Sequence, residues 1–145
     1  MFDLAIVGAG PAGVAAAVEA LRLGHQPVLL DDTGQVGGTI AHAHQVCNLP
    51  FASLPCTGKQ VADSLSRLLN HFGHSVRHAR IDAVLDKTDV FELRSQDSSF
   101  SVRKLLIATG TRPIIPRLPG LHSRLEWPWV PWASSCQAPR GSTVA

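Results

Sequence analysis

Six consecutive residues near the N-terminus, Gly8-Ala9-Gly10-Pro11-Ala12-Gly13, limit the fold of this chain more than any other feature. They lie between a short apolar run at residues 3–7 and an alanine-, valine- and leucine-rich stretch at residues 11–23. The first suits a buried parallel strand and the second a helix, with Gly24 placed as its stop. Val28, Leu29 and Leu30 form a second buried run, closed by Asp31 and Asp32. The outline is a βαβ unit, whose parallel strands imply a right-handed crossover.

In that setting each glycine has a physical task. Gly8 permits the tight turn, Gly10 lets a phosphate reach the backbone, and Gly13 lets helix and strand pack closely. A pyrophosphate would rest on the helix N-terminus, where unpaired N–H groups and the helix dipole favour negative charge. Asp31 ends the second strand about twenty residues beyond the glycines, where a carboxylate accepts from ribose hydroxyls. Asp32 is the neighbouring candidate, but the spacing from Gly24 favours Asp31. A carboxylate there repels a 2′-phosphate, so the nucleotide is FAD or NAD rather than NADP.

Residues 33–56 lose all periodicity and are punctuated by Gly34, Gly37, Gly38, Pro50 and Pro55. So long a connection between strong elements suggests a functional loop. A second helix begins at Thr57, which has capping-box spacing to Gln60, and Val61, Leu65, Leu68, Leu69 and Phe72 fall on one face before Gly73. Residues 75–109 read as strands: Ile81, Ala83 and Leu85 alternate with polar neighbours, and turns fall at 86–89 and 96–99. Residues 104–109 make another buried run before Gly110. Beyond Arg112 six prolines and Trp127, Trp129 and Trp132 replace any regular pattern, as in a linker leaving a domain.

The chain resembles the thioredoxin-reductase-like FAD/NAD(P)-dependent pyridine nucleotide-disulfide oxidoreductases. The resemblance is carried by residues 3–13 with Pro11, by Gly37-Gly38 followed by Val46-Cys47-Asn48-Leu49-Pro50, and by Leu105-Leu106-Ile107-Ala108-Thr109-Gly110 with Pro113 beyond. These segments span residues 1–120 in the family's order. The fold implied is α/β, a Rossmann-like FAD-binding domain with a parallel sheet and a small β-meander, lacking the inserted NAD(P)H domain. Residues 1–120 form that domain, incomplete, and residues 121–145 a linker or the start of the missing NAD(P)H domain.

The resemblance implies that Gly8, Gly10, Pro11, Ala12 and Gly13 hold the FAD pyrophosphate and that Asp31, or Asp32 beside it, binds the adenosine ribose. Gly37, Gly38 and Thr39 would lie along the flavin, with Asn48 near the ribityl chain or the ring. Ile81 or Asp82 would meet the adenine through backbone, and Ala108, Thr109 and Gly110 would close over the cofactor. In the full-length parent NADPH or NADH would be the electron donor.

The chain also departs from the family pattern. A second G-x-G-x-x-G, a Cys-x-x-Cys pair and the closing Gly-Asp segment are missing from the sequence. Ile40 and Gln45 occupy the positions of the glutathione-reductase-type redox cysteines, and Cys47 stands where glutamate is usual. The expectation is an N-terminal fragment of a longer flavoprotein, with no catalytic residue of its own. The alternative is a stand-alone FAD- or nucleotide-binding module without turnover, with a homodimer or a partner chain supplying the missing domain.

The remaining signals are weaker. Thirteen basic residues against eleven acidic give +2, which steers the chain to neither nucleic acid nor an anionic membrane. No apolar run is long enough to span a bilayer, and no leader is expected ahead of the first strand. Three unevenly spaced cysteines suit a reducing compartment, so the expected location is cytoplasmic. His42 and His44 lack the third ligand that zinc needs, so no metal set is read. His71, His74 and His78 are placed at a helix end, where the dipole favours their cations.

Overall fold

A computed structural model describes residues 1–49 and 55–111. Pro50 and the tail, with Arg112, Pro113, the tryptophans and the proposed linker at 121–145, lie outside the described residues. The order of elements is β1 (Phe2–Val7), α1 (Pro11–Arg22), β2 (Pro27–Asp31), a 3-10 helix (Gly38–His42), α2 (Gly58–His71), β3 (Val76–His78), β4 (Ala83–Lys87), β5 (Val90–Arg94) and β6 (Ser99–Ile107). The fold is the expected Rossmann-like α/β architecture with a β-meander.

The six strands form one sheet in the order β3-β2-β1-β6-β5-β4. β3, β2, β1 and β6 are parallel, while β4, β5 and β6 form the antiparallel meander. β6 belongs to both parts. Its first residues pair with β5, ending at Phe91↔Val102, and from Val102 to Ile107 it pairs with β1. Because the central parts of β1 and β2 are buried on both sides, residues 4–7 and 28–30 are continuously apolar, and neighbouring residues feed different cores. Ala5, Val28 and Leu30 pack with Leu93 and Val102 of the meander on one side. Ile6 and Leu29 pack with Val14 and Ala17 of α1 and Leu69 of α2 on the other.

α2 starts as its sequence dictates. The Thr57 hydroxyl accepts from the Gln60 N–H, and the Gln60 side chain accepts from the Thr57 N–H at 2.7 Å. Such a cap is worth about 1 kcal/mol. Leu69 and Val61 are buried and Leu65 partly so, but Leu68 is 42% exposed, lying beyond the edge of the apolar stripe.

Four further expectations need correction. The loop at residues 33–56 contains the 3-10 helix. Ile81 precedes β4, all of whose residues are exposed, so its alternating pattern does not mark a half-buried strand. The 86–89 turn shrinks to Thr88-Asp89, because Asp86 and Lys87 remain paired with Phe91 and Val90. The run at 104–109 is not buried throughout: Leu106 is exposed and Ile107 is 70% exposed, since the pairing of β6 with β5 stops at Val102 and leaves the end of β6 flanked by β1 alone among the described strands.

Candidate functional site

β1 ends at Val7, and the chain reaches α1 through Gly8, Ala9 and Gly10. Two of the motif's three glycines are demanded by packing. A Cβ on Gly8, which has φ +108°, would lie 2.2 Å from the Ala108 carbonyl oxygen, and one on Gly13 would lie 1.8 Å from the Gly8 carbonyl oxygen. Gly10 differs. A Cβ there would meet no atom of the described residues within 4 Å, and its φ of −70° and ψ of −178° suit any residue. It faces open space. Pro11 at the first helical position has no N–H and a preset φ, and no side chain among the described residues caps the N-terminus. No acidic residue occupies the first turn of α1, so the dipole's positive end and the backbone at Ala12 and Gly13 meet no fixed anion there. The arrangement fits a phosphate group.

The turn is braced from three sides. The Gly8 N–H donates to the Leu30 carbonyl at 2.7 Å, and the Ala108 N–H to the Val7 carbonyl at 2.8 Å. The Ala9 N–H donates to Asp31 Oδ2 at 2.8 Å, while the Ala9 carbonyl accepts from the Gly37 N–H at 2.9 Å. Asp31 Oδ1 accepts from the Thr33 N–H at 2.8 Å and its hydroxyl at 2.6 Å. Charge-assisted bonds of this kind contribute about 1.5–3 kcal/mol each. Gly38 follows so closely that its Cβ would lie 3.3 Å from the Gly10 Cα. Gly8, Gly10, Gly13, Asp31, Gly37, Gly38 and Ala108 are thus brought together from four stretches of sequence.

The other candidates surround this group. Thr39 lies exposed in the 3-10 helix. Asn48 is exposed, two residues beyond Val46, whose paired backbone bonds to Cys56 close the loop. The Ala79 N–H donates to the Asp31 carbonyl at 2.9 Å, which sets residues 79–82 beside the end of β2. There Ile81 packs against the meander core, and Asp82 is exposed and paired with Arg80. Asp32 is exposed, and its carbonyl accepts from His78 Nε2 at 2.9 Å. Thr109 and Gly110 are exposed just past β6. Cys47 is exposed and Cys56 is half-buried.

The histidine expectation is corrected in two places. His78 lies within β3, so it does not face the end of α2. His74 follows α2, but burial, with the Arg77 charge second, holds its pKa below 6.5 and disfavours the cation. Among the described residues no group of three metal-ligating side chains is assembled. A cavity of about 360 Å³ lies between α2, β3 and residues 34–36, lined by Gln35, Asp63, Ser66 and Asn70 among others. None of residues 8–13 lines it, so it is separate from the turn.

Sequence reasoning missed Thr33 and Gly58. Thr33 was legible, because an Asp accepting from the N–H two residues on is a common turn device. Gly58 was not, since its role is tertiary: its Cβ would lie 1.8 Å from the Ile40 carbonyl oxygen, and its N–H donates to the Ala43 carbonyl at 2.9 Å. It seats α2 against the 3-10 helix.

Residues 2–137 match the family model described as pyridine nucleotide-disulphide oxidoreductase. The thioredoxin reductase of Peptoclostridium litorale is 30% identical over 140 residues, which are 95% of this chain and 43% of that protein. The Peptoclostridium acidaminophilum thioredoxin reductase is 29% identical with the same coverage. Among solved structures, the Lactococcus lactis thioredoxin reductase superposes with a TM-score of 0.77 at 25% identity, over 83% of this chain and 39% of that one. The T. acidophilum thioredoxin reductase gives 0.72 at 28% identity, over 82% and 38%. The chain therefore spans less than half the length of the relatives it matches.

Proposed function

The chain belongs to the pyridine nucleotide-disulphide oxidoreductase family, and from that premise we propose that residues 1–120 form the FAD-binding domain of a thioredoxin reductase-like flavoprotein. One observation carries the reading. In a turn where Gly8 and Gly13 are packed against backbone, Gly10 alone opens to space, next to an uncapped helix N-terminus. That is a place kept for a phosphate.

In this reading the backbone at Gly10, Ala12 and Gly13 holds the pyrophosphate, with Gly8 and Pro11 shaping the turn. Asp31 receives the ribose, and Asp32 lies beside it. Gly37, Gly38, Thr39 and Asn48 border the flavin half, residues 81 and 82 the adenine, and residues 108–110 the outer side. FAD, when bound, supplies the two-electron chemistry, and the protein supplies binding, orientation and electrostatics. NADPH or NADH is the electron donor of the full-length protein, bound outside residues 1–120. Residues 121–145 lead toward that second domain, which a longer chain, a homodimer or a partner chain provides.

The test is flavin binding by the chain itself. Purified and desalted protein, titrated with FAD, should quench flavin fluorescence saturably and bind ADP competitively. A folded protein indifferent to both ligands would refute the assignment.

A further inference from the structure

Building on the reading of the glycine turn as an FAD site, we propose that Asp31 is a positioning residue that fixes the phosphate-binding shape of the turn through Ala9, leaving one lone pair for the ribose. A carboxylate offers about four acceptor positions. Three are filled by the protein itself: one on Oδ2 by the Ala9 N–H at 2.8 Å, and both on Oδ1 by the Thr33 N–H at 2.8 Å and the Thr33 hydroxyl at 2.6 Å. Turning both oxygens toward a ribose would break all of these bonds.

The Ala9 end of the brace is equally constrained. Ala9 is fully buried, and its carbonyl is held by the Gly37 N–H at 2.9 Å. The peptide groups on either side of Ala9 are therefore clamped, one to the end of β2 and the other to the paired-glycine loop. Gly10, the residue that opens to space, comes next in the chain. Its orientation follows from the clamp, and Thr33 holds the carboxylate in the rotamer that makes the clamp.

The ribose role and the positioning role separate when ligands differ only in their hydroxyls. Wild type, Asp31→Asn and Thr33→Val are titrated with ADP, 2′,3′-dideoxy-ADP and inorganic pyrophosphate, and amide exchange is followed at Ala9 and at Leu93 in the meander core. The asparagine amide nitrogen cannot accept, so one end of the brace is lost. Asp31→Asn should weaken dideoxy-ADP by about tenfold and ADP by at least as much, and weaken pyrophosphate in the same direction. Thr33→Val should do so less, and Ala9 should exchange faster in both variants with Leu93 unchanged. A loss confined to ADP, or Ala9 exchange equal to wild type, would overturn the proposal. If wild type binds none of the ligands the FAD reading fails, and Ala9 exchange still decides whether the brace exists.

Discussion

Gly10 and Gly13 stand three residues apart in one motif and answer to opposite constraints. The Gly13 Cβ position lies 1.8 Å from a backbone oxygen that no side-chain rotation can move. Gly13→Ala must therefore separate α1 from the turn, at a cost of about 1–3 kcal/mol. Urea denaturation should show the unfolding free energy falling by that amount, with the midpoint lowered in proportion, and an unchanged midpoint would mean the helix does not approach Gly8 this closely. Gly10 has no such neighbour, so nothing in the fold alone requires glycine there. The sequence displayed the three glycines and Asp31 but not this division of labour. It also hid the Asp31–Ala9 bond, which joins residues 22 positions apart and has no periodic signature.

At the scale of elements, local signals translated well where the interaction is itself local. The Thr57–Gln60 box and the βαβ unit at residues 2–31 are of this kind. Legibility fell where burial depends on what lies across the sheet. β4 has an alternating pattern yet exposes all five residues, and Ile107 reads as core but projects past the end of β5. The 3-10 helix was hidden because part of what holds it, the Gly58–Ala43 bond, is tertiary and leaves no periodic signal in its own residues.

The connection from α2 to β3 carries a pH prediction. His74 Nε2 is buried with no partner among the described residues, and burial lowers the ring's pKa from 6.5. The unfolded chain takes up this proton near pH 6.5 and the folded protein only below it, so acidification through that range favours unfolding. Urea midpoints at about pH 7.5 and about pH 5.5 should show wild type losing more stability than His74→Gln. Equal losses would show that the ring is solvated.

At the scale of the whole molecule, one sheet carries two cores, and the glycine turn sits at the ends of β1, β2 and β6 where they meet the loop at residues 33–49. The fold and family were legible because a βαβ unit, a glycine turn and an Ala-Thr-Gly strand end occur in a fixed order. The sharing of β6 between the parallel and antiparallel parts was not, since register depends on partners far apart in sequence. The chain matches 43% of the length of its thioredoxin reductase relative, so the proposal concerns a cofactor site rather than a complete reaction.

The decisive comparison is FAD affinity in wild type and Gly10→Val, with far-UV circular dichroism and thermal midpoints measured in parallel. The variant should fold as wild type does, because the valine side chain meets no described atom, yet fail to bind FAD if, as proposed, that space receives the phosphate. A folded variant with wild-type affinity would place the cofactor, and with it the function, elsewhere.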